Sequence, residues 1–248
     1  MISRNEAITN LRRAIEFYQG LGFERLPMKN ISITGLAEAM VSENPAIYIK
    51  GRDADVDISN KDEVLKKLRD EIGVCRRCKL SNGRKNIVFG EGSADAKLMF
   101  IGEGPGRDED IQGRPFVGEA GQILDSLINK RGWKREEVYI ANIVKCRPPG
   151  NRAPEEDEIA ACRPFIERQI EIIRPKVIIS LGNVATHSLL GIKMPISKAR
   201  GKFYSYKDIP VMPTFHPAYF LRNPKDKHLT WEDAAKVFEK LKENQEGL

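Results

Sequence analysis

The sequence predicts an α/β fold, a three-layer sandwich in which a central four-stranded parallel sheet lies between layers of helices. Four short apolar runs alternate with longer segments of helical periodicity, which is typical of a doubly wound sheet. The runs are nearly continuous rather than alternating, as expected for parallel strands buried on both faces. They cover residues 98–101, 138–143, 177–181 and 211–215.

Segments with the 3.6-residue repeat of a helix separate these strands. The longest, residues 154–173, begins with three acidic side chains at 155–157, which stabilise the positive end of a helix dipole. Three further helices are predicted at 118–130, 183–190 and 230–242. Another precedes the sheet, where Val64, Leu65, Leu68 and Ile72 form one apolar face.

The first 60 residues are predicted to form a helical extension. Apolar side chains recur at intervals of three and four residues between Ile8 and Tyr18, which indicates one helical face. Asn44-Pro45 and the charged residues 50–57 are typical of a boundary. The sequence therefore predicts two parts, residues 1–60 and a main domain at 61–248.

Composition favours a globular protein that binds a polyanion. Of the 248 residues, 41% are hydrophobic and 31% charged, which is too apolar for a disordered chain. No apolar run approaches the roughly 18 residues that span a bilayer, and the start lacks a secretory signal, so we expect a cytoplasmic location and no membrane partner. The net charge of +6 weakly favours nucleic acid as a partner.

The four cysteines predict a metal site. Cys75 and Cys78 form a C-x-x-C pair, and Cys146 and Cys162 can supply a second pair. In a reducing compartment, such thiols are more often metal ligands than disulfides. Zinc and an iron-sulfur cluster both accept four cysteines, so the spacing leaves both open, and the irregular second pair slightly favours iron.

Polar and glycine-rich loops follow the predicted strands, where ligands bind in such sheets. Gly102, Glu103 and Gly104 begin a G-E-G-P-G loop after the first strand. The loop lacks the Lys-Ser/Thr of a Walker motif, and Arg107 stands where a dinucleotide fingerprint needs glycine, so a nucleotide triphosphate site is not expected. Glu103 and Glu109 are nearby carboxylates, although a purely structural turn is an equal alternative.

Three further side chains have both a structural and a functional interpretation. Phe116 lies between glycines ahead of a helix and is either core or a stacking platform. Asn142 ends the second strand and either caps a loop or reads a ligand edge with one donor and one acceptor. His216 follows the fourth strand and is either structural or part of a site. No role is assigned to His187 or His228.

Together these motifs resemble those of the family 4 uracil-DNA glycosylases, which are iron-sulfur repair enzymes. The resemblance extends from about residue 60 to the C-terminus. It rests on the four cysteines and five motifs: G-E-G-P-G at 102–106, G-R-P-F-V-G at 113–118, Asn142 with K-C-R-P-P at 145–149, N-R-A-P at 151–154 and F-H-P-A-Y at 215–219.

The resemblance implies an enzyme that removes uracil from single- or double-stranded DNA, and a 4Fe-4S cluster as its cofactor. The implied cluster ligands are Cys75, Cys78, Cys146 and Cys162. The implied substrate-binding residues are Gly102, Glu103, Gly104, Phe116, Asn142 and His216. Of these, Glu103, Asn142 and His216 are the implied catalytic residues, with Asn142 at the edge of the base and His216 beside its O2 atom.

The sequence departs from the wider family in two ways. Classical uracil-DNA glycosylases have an aspartate in their G-Q-D-P-Y motif, and this position aligns with Gly104. Either Glu103 or Glu109 replaces that acid, or the reaction needs little base catalysis. The helical extension is the second departure, and the oligomeric state is left open. The alternative function is a non-catalytic zinc or iron-sulfur module that binds nucleic acid.

Overall fold

A six-stranded sheet organises the part of the chain that the structure describes. The structure is a computed structural model that describes residues 60–246, with side chains to residue 242. The predicted helical extension lies outside the described residues. The strands are β1 Glu91–Gly92, β2 Leu98–Gly102, β3 Tyr139–Asn142, β4 Val177–Leu181, β5 Tyr204–Tyr206 and β6 Ile209–Thr214.

The strand order is β1-β3-β2-β4-β6-β5. Strands β3, β2, β4 and β6 are parallel to one another, which confirms the predicted four-stranded parallel sheet. The two edge strands, β1 and β5, pair antiparallel with their neighbours and were not predicted. They contain only two and three residues, so their sequence has too few positions to show a strand pattern.

Eight helices are present in the described residues. They are α1 Lys61–Ile72, α2 Arg107–Gln112, α3 Glu119–Asn129, α4 Glu156–Ile173, α5 Gly182–Leu190, α6 Ile196–Ala199, α7 Tyr219–Arg222 and α8 Lys227–Glu246. Short 3-10 turns occupy Lys79–Asn82, Arg135–Glu137, Pro149–Asn151 and Pro224–Asp226. The five predicted helices are confirmed as α1, α3, α4, α5 and α8, with ends shifted by a few residues. The short α2, α6 and α7 were not predicted.

Helices cover both faces of the sheet, as predicted for a three-layer sandwich. On one face, Met99, Ile101 and Ile178 belong to a core shared with α1, α4 and α5. On the other, Phe100 and Ile179 belong to a core shared with α3 and α8. Every residue of β2 and β4 is buried, which explains why their sequences are continuously apolar. None of the described helices could span a membrane.

The parallel register brings the ends of the four central strands to one edge. In particular, Gly102 at the end of β2 lies opposite Asn142 at the end of β3. The loops that follow β2, β3, β4 and β6 therefore begin side by side, at the edge where α/β sheets bind ligands.

Candidate active site

A pocket of about 710 Å³ opens at this edge of the sheet. Its volume lies in the range of small-molecule sites. The predicted residues that line it are Glu103, Gly104, Phe116, Asn142 and His216. The sixth predicted substrate-binding residue, Gly102, lies against two of these side chains. The fold thus brings together residues separated by more than a hundred positions in the sequence.

Gly102 leaves room for the side chains that form the inner wall of the pocket. A Cβ atom at this position would lie 2.4 Å from Asn142 Oδ1 and 2.6 Å from Phe116 Cζ. Both distances are shorter than any real contact of a Cβ atom. A glycine is therefore needed here because of close packing and not because of a left-handed backbone.

Asn142 presents a buried acceptor that has no partner. Only 2% of the residue is exposed, and its Oδ1 makes no hydrogen bond within the described residues. Leaving a buried polar atom unsatisfied costs about 1–3 kcal/mol, so such atoms are uncommon in folded proteins. A ligand that donates to Oδ1 from within the pocket would remove this cost.

Phe116 is held in an unusual backbone conformation. Its φ is +50°, a region that residues with a Cβ atom seldom adopt. The guanidinium of Arg135 donates to the carbonyl of the preceding residue, Pro115. The Phe116 ring is 5.6 Å from the His216 ring, centroid to centroid, at an angle of 32°. The two rings therefore occupy neighbouring parts of the pocket wall.

Glu109 joins the loop after β2 to the Phe116 loop. Its carboxylate accepts hydrogen bonds from the main-chain N–H groups of Gly106 at 3.0 Å, Val117 at 2.9 Å and Gly118 at 3.0 Å. Both oxygens are thus occupied by main-chain donors. This arrangement supports a positioning role for Glu109 and leaves Glu103 as the better candidate for chemistry.

Glu103 has a carboxylate that no other described group binds. It is half-buried at the pocket wall, and burial alone raises the pKa of its carboxyl above the usual value. Its main-chain carbonyl accepts a hydrogen bond from the N–H of Val144, which fixes the backbone of the loop. The loop backbone is therefore held in place, and the Glu103 side chain lines the pocket.

His216 is held as a neutral ring. The N–H of Ala218 donates to its Nδ1 at 3.2 Å, so the neutral ring has its proton on Nε2. Burial lowers the pKa of His216 to about 4, although the negative charge of Glu109 opposes the shift. At neutral pH the ring is an uncharged hydrogen-bond donor through Nε2.

The segment after His216 forms the rim of the pocket. The rings of Phe215 and Tyr219 stack with their centroids 4.6 Å apart, and the Tyr219 hydroxyl donates to Asp226 at 2.7 Å. These contacts hold α7 at the pocket mouth. Leu221 on this helix lines the pocket and is 47% exposed. A large apolar side chain is thus presented to solvent next to the site.

The four cysteines line a second cavity. The thiols of Cys75 and Cys78 are partly exposed, and those of Cys146 and Cys162 are buried. Arg84 lies 3.5 Å from the Cys146 sulfur, and the N–H of Lys145 donates to the Cys162 sulfur at 3.3 Å. A guanidinium and a main-chain N–H group therefore contact two of the four sulfurs, as suits an anionic metal-thiolate group.

Burial disfavours the thiolate form of these cysteines when no metal is bound. It raises the pKa of Cys78 and Cys146 above the usual value and that of Cys162 to about 12. Within the described residues, no group of three or more His, Cys, Asp and Glu side chains is arranged to hold a single metal ion.

Sequence analysis assigned no role to two buried polar residues, Lys145 and Gln169. Both have no exposed surface. The Lys145 ammonium donates to the Asn142 carbonyl at 2.8 Å and to Gln169 Oε1 at 2.6 Å. Lys145 begins the K-C-R-P-P motif and directly follows an apolar run, but neither feature shows that its ammonium is buried.

Comparisons with known proteins identify the family of this chain. Residues 89–242 match the model of the uracil DNA glycosylase superfamily. The chain is 52% identical to a type-4 uracil-DNA glycosylase of Saccharolobus solfataricus, over 70% of this chain and 85% of that protein. It is 44% identical to a type-4 uracil-DNA glycosylase of Thermotoga maritima, over 71% of this chain and 94% of that protein. The chain therefore belongs to the uracil-DNA glycosylase superfamily, among its type-4 members.

Proposed function

We propose that this protein hydrolyses the N-glycosidic bond of uracil in DNA and leaves an abasic site, the first step of base excision repair. Family membership supports this activity. The single observation that supports it best is the unpartnered Asn142 Oδ1, which lies in one pocket with the Phe116 ring and the neutral His216.

Asn142 selects uracil over cytosine in this proposal. Uracil presents an N–H donor at N3 and an acceptor at O4, which complement the Oδ1 and Nδ2 atoms of an asparagine amide. Cytosine presents the reverse pattern at the same two positions, so both contacts become repulsive. A site that hydrogen-bonds its substrate rejects analogues that cannot make the bonds, because its own buried groups stay unpaired.

Stacking and close backbone approach hold the base. The Phe116 ring provides an aromatic face, and stacking of a base on such a ring contributes about 1–3 kcal/mol. The loop that contains Gly102 and Gly104 lies beside this ring. A Cβ at Gly104 would lie 2.7 Å from the Val144 side chain. The glycines thus allow the loop to pack closely against the side chains that form the pocket wall.

The α7 segment helps to expose the base. A base inside a duplex must rotate out of the stack before an enzyme can reach it. Apolar side chains inserted between bases lower the cost of this distortion. Leu221, exposed at the pocket mouth, is suited to this role. Uracil opposite guanine is easier to extract than a paired base, and single-stranded DNA needs no unpairing.

His216 and Glu103 perform different parts of the reaction. Cleavage leaves negative charge on uracil and positive charge on the sugar. A preset donor at the position where negative charge develops lowers the barrier, and the His216 Nε2–H supplies it at the uracil O2 atom. The Glu103 carboxylate stabilises the positive sugar and orients the attacking water.

The cysteine-lined cavity holds a 4Fe-4S cluster in this proposal. Its support is the set of four thiols around one cavity, with Arg84 and the Lys145 N–H directed at two of the sulfurs. When bound, the cluster cross-links segments that are distant in sequence. Iron and sulfide analysis with the visible spectrum would distinguish it from zinc, which is colourless.

Uracil release from labelled oligonucleotides tests the function directly. We expect the protein to release uracil from U:G duplexes and from single strands, and to leave thymine and cytosine in place. Asn142→Asp should reduce the rate by roughly one to three orders of magnitude, because a carboxylate would face O4. Asn129→Asp, at the exposed end of α3, is the matched control and should retain the parent rate.

The alternative function makes a different prediction in this assay. A non-catalytic nucleic-acid-binding module would bind the same oligonucleotides and release no base. Binding without release by iron-loaded protein would refute the glycosylase proposal.

A further inference from the structure

Lys145 connects the base pocket with the cysteine-lined cavity. Its ammonium donates to the Asn142 carbonyl at 2.8 Å, while its main-chain N–H donates to the Cys162 sulfur at 3.3 Å. The next residue in the chain is Cys146. One residue thus contacts both the pocket asparagine and two of the four cysteines.

Lys145 lies in a buried network of hydrogen bonds. Its second acceptor is Gln169 Oε1 at 2.6 Å, and Gln169 in turn donates to the Phe89 carbonyl at 2.9 Å and to the Tyr139 hydroxyl at 3.1 Å. All of these groups are buried. The ammonium is therefore held at a defined position between α4 and the end of β3.

Burying a cation in this position is costly, because the ammonium loses its hydration. An apolar side chain of similar length, such as methionine, would fill the space without that cost. A stabilising role alone therefore does not explain a lysine here. The ammonium differs from an apolar group in that it donates hydrogen bonds and so holds its acceptors in place. One of its two acceptors is the carbonyl of Asn142.

Asn142 needs such an anchor because its side chain has none. No hydrogen bond to another described residue holds its amide, and Oδ1 is unpartnered. The direction of the amide therefore depends on the backbone of residue 142 and on packing against Gly102 and Phe116. The bond from Lys145 restrains that backbone.

We propose that Lys145 is a positioning residue for uracil recognition: its buried ammonium fixes the Asn142 carbonyl and so directs the Asn142 amide at the base. This inference rests on the proposed function. It also means that the loop from Asn142 to Cys146 couples the two cavities. A loss of structure around the cysteines should therefore displace the Asn142 amide in the pocket.

The first test is Lys145→Met in the iron-loaded protein. We expect the single-turnover rate of uracil release to fall about 10- to 100-fold, since small misplacements of a contact group cost up to that much. Iron content and affinity for abasic-site DNA should stay near the parent values. Lys61→Met is the matched control: it removes a lysine that donates to the Ile173 carbonyl at 3.0 Å, far along the chain from the pocket residues, and should leave the rate unchanged.

A double-mutant cycle separates positioning from general destabilisation. If Lys145 acts through Asn142, adding Lys145→Met to Asn142→Ala should lower the rate by less than about threefold. A merely structural effect would lower the rate by the same factor in both backgrounds. Equal factors would therefore overturn the inference, as would a parent-like rate for Lys145→Met alone.

A milder variant decides the question if Lys145→Met does not accumulate with iron. Tyr139→Phe removes only the hydroxyl that accepts from Gln169 and should lower the rate about two- to fivefold, again only when Asn142 is present. A parent-like rate would overturn the inference. If the unmodified protein itself releases no uracil, the proposed function fails; if it does and these variants match it, only the role of Lys145 fails.

Discussion

Departure of the base should depend most on His216, which is neutral at pH 7. We expect His216→Ala to lower the single-turnover rate about 10²- to 10³-fold, because one preset donor to a developing oxyanion is removed. Affinity for abasic-site DNA should remain near that of the parent, since the contact matters mainly as charge develops.

His187 provides an internal control for this prediction. It lies on α5, contacts the Met194 carbonyl and does not line the pocket. His187→Ala should retain the parent rate. Equal losses for the two variants, or full activity of His216→Ala, would show that His216 is not a catalytic residue.

The pH dependence of the rate should identify the working carboxylate. Burial raises the pKa of Glu103, so its ionised form is lost as the pH falls through a value above the usual range for glutamate. The rate should therefore fall on the acidic side at a higher pH than for an ordinary carboxylate. His216 has a pKa of about 4, so it stays neutral over the pH range in which Glu103 should lose its charge.

Glu103→Gln tests this assignment, because it keeps the shape of the side chain and removes the titration. The variant should be slower at neutral pH and should lose the acidic limb of the pH–rate profile. An unchanged limb would show that another group titrates. Glu109→Gln is the informative comparison, since that carboxylate accepts from three main-chain N–H groups and its loss should also lower stability.

At the scale of elements, the end of β2 is a point of close packing beside the pocket. Gly102→Ala would place a Cβ atom 2.4 Å from Asn142 Oδ1 and 2.6 Å from Phe116 Cζ. We expect at least a roughly 10-fold loss of uracil release, because the side chains of Asn142 and Phe116 must both move. Gly83→Ala, where an added Cβ meets no atom within 4 Å, should be fully active.

The long elements could be predicted from sequence, and the short ones could not. β4 was predicted at residues 177–181 and occupies Val177–Leu181, because a strand buried on both faces is apolar throughout. The edge strand β1 has two residues and depends on pairing with β3. Helix α7 has four residues, and contacts of Tyr219 with Phe215 and Asp226 hold it in place.

At the scale of the whole molecule, the cysteine-lined cavity joins three separate parts of the chain. Cys75 and Cys78 follow α1, Cys146 follows β3 and Cys162 lies within α4. We expect Cys146→Ala to lose the brown colour and to unfold at a temperature lower by on the order of 10 °C, because metal binding is coupled to folding.

Ser81→Ala is the matched control for this cavity. Ser81 lines the same cavity but offers no sulfur ligand, so the variant should keep both its iron and its melting temperature. Full iron content in Cys146→Ala would contradict the four-cysteine site. Uracil release by Cys146→Ala should fall in parallel with its iron content, because the Asn142 to Cys146 loop would lose its anchor.

The candidate site was only partly predictable from the motifs. The motifs predicted three residues that line the pocket. Phe116 lies between glycines, and Asn142 and His216 lie at the ends of apolar strands. The roles of the supporting groups were not visible. Glu109 was considered as an acid, whereas its carboxylate accepts from main-chain N–H groups of two loops, and such contacts leave no pattern in the sequence.

The sequence by itself determined the α/β class, the four parallel strands and the motifs that mark the family. Strands buried on both faces are continuously apolar, and the loops after them carry glycine-rich and polar motifs, so both leave a local pattern. Tertiary structure alone decided that Asn142 Oδ1 has no partner, that His216 stays neutral and that Lys145 connects the two cavities. These properties depend on burial and on which atoms the fold brings into contact, and residue spacing shows neither.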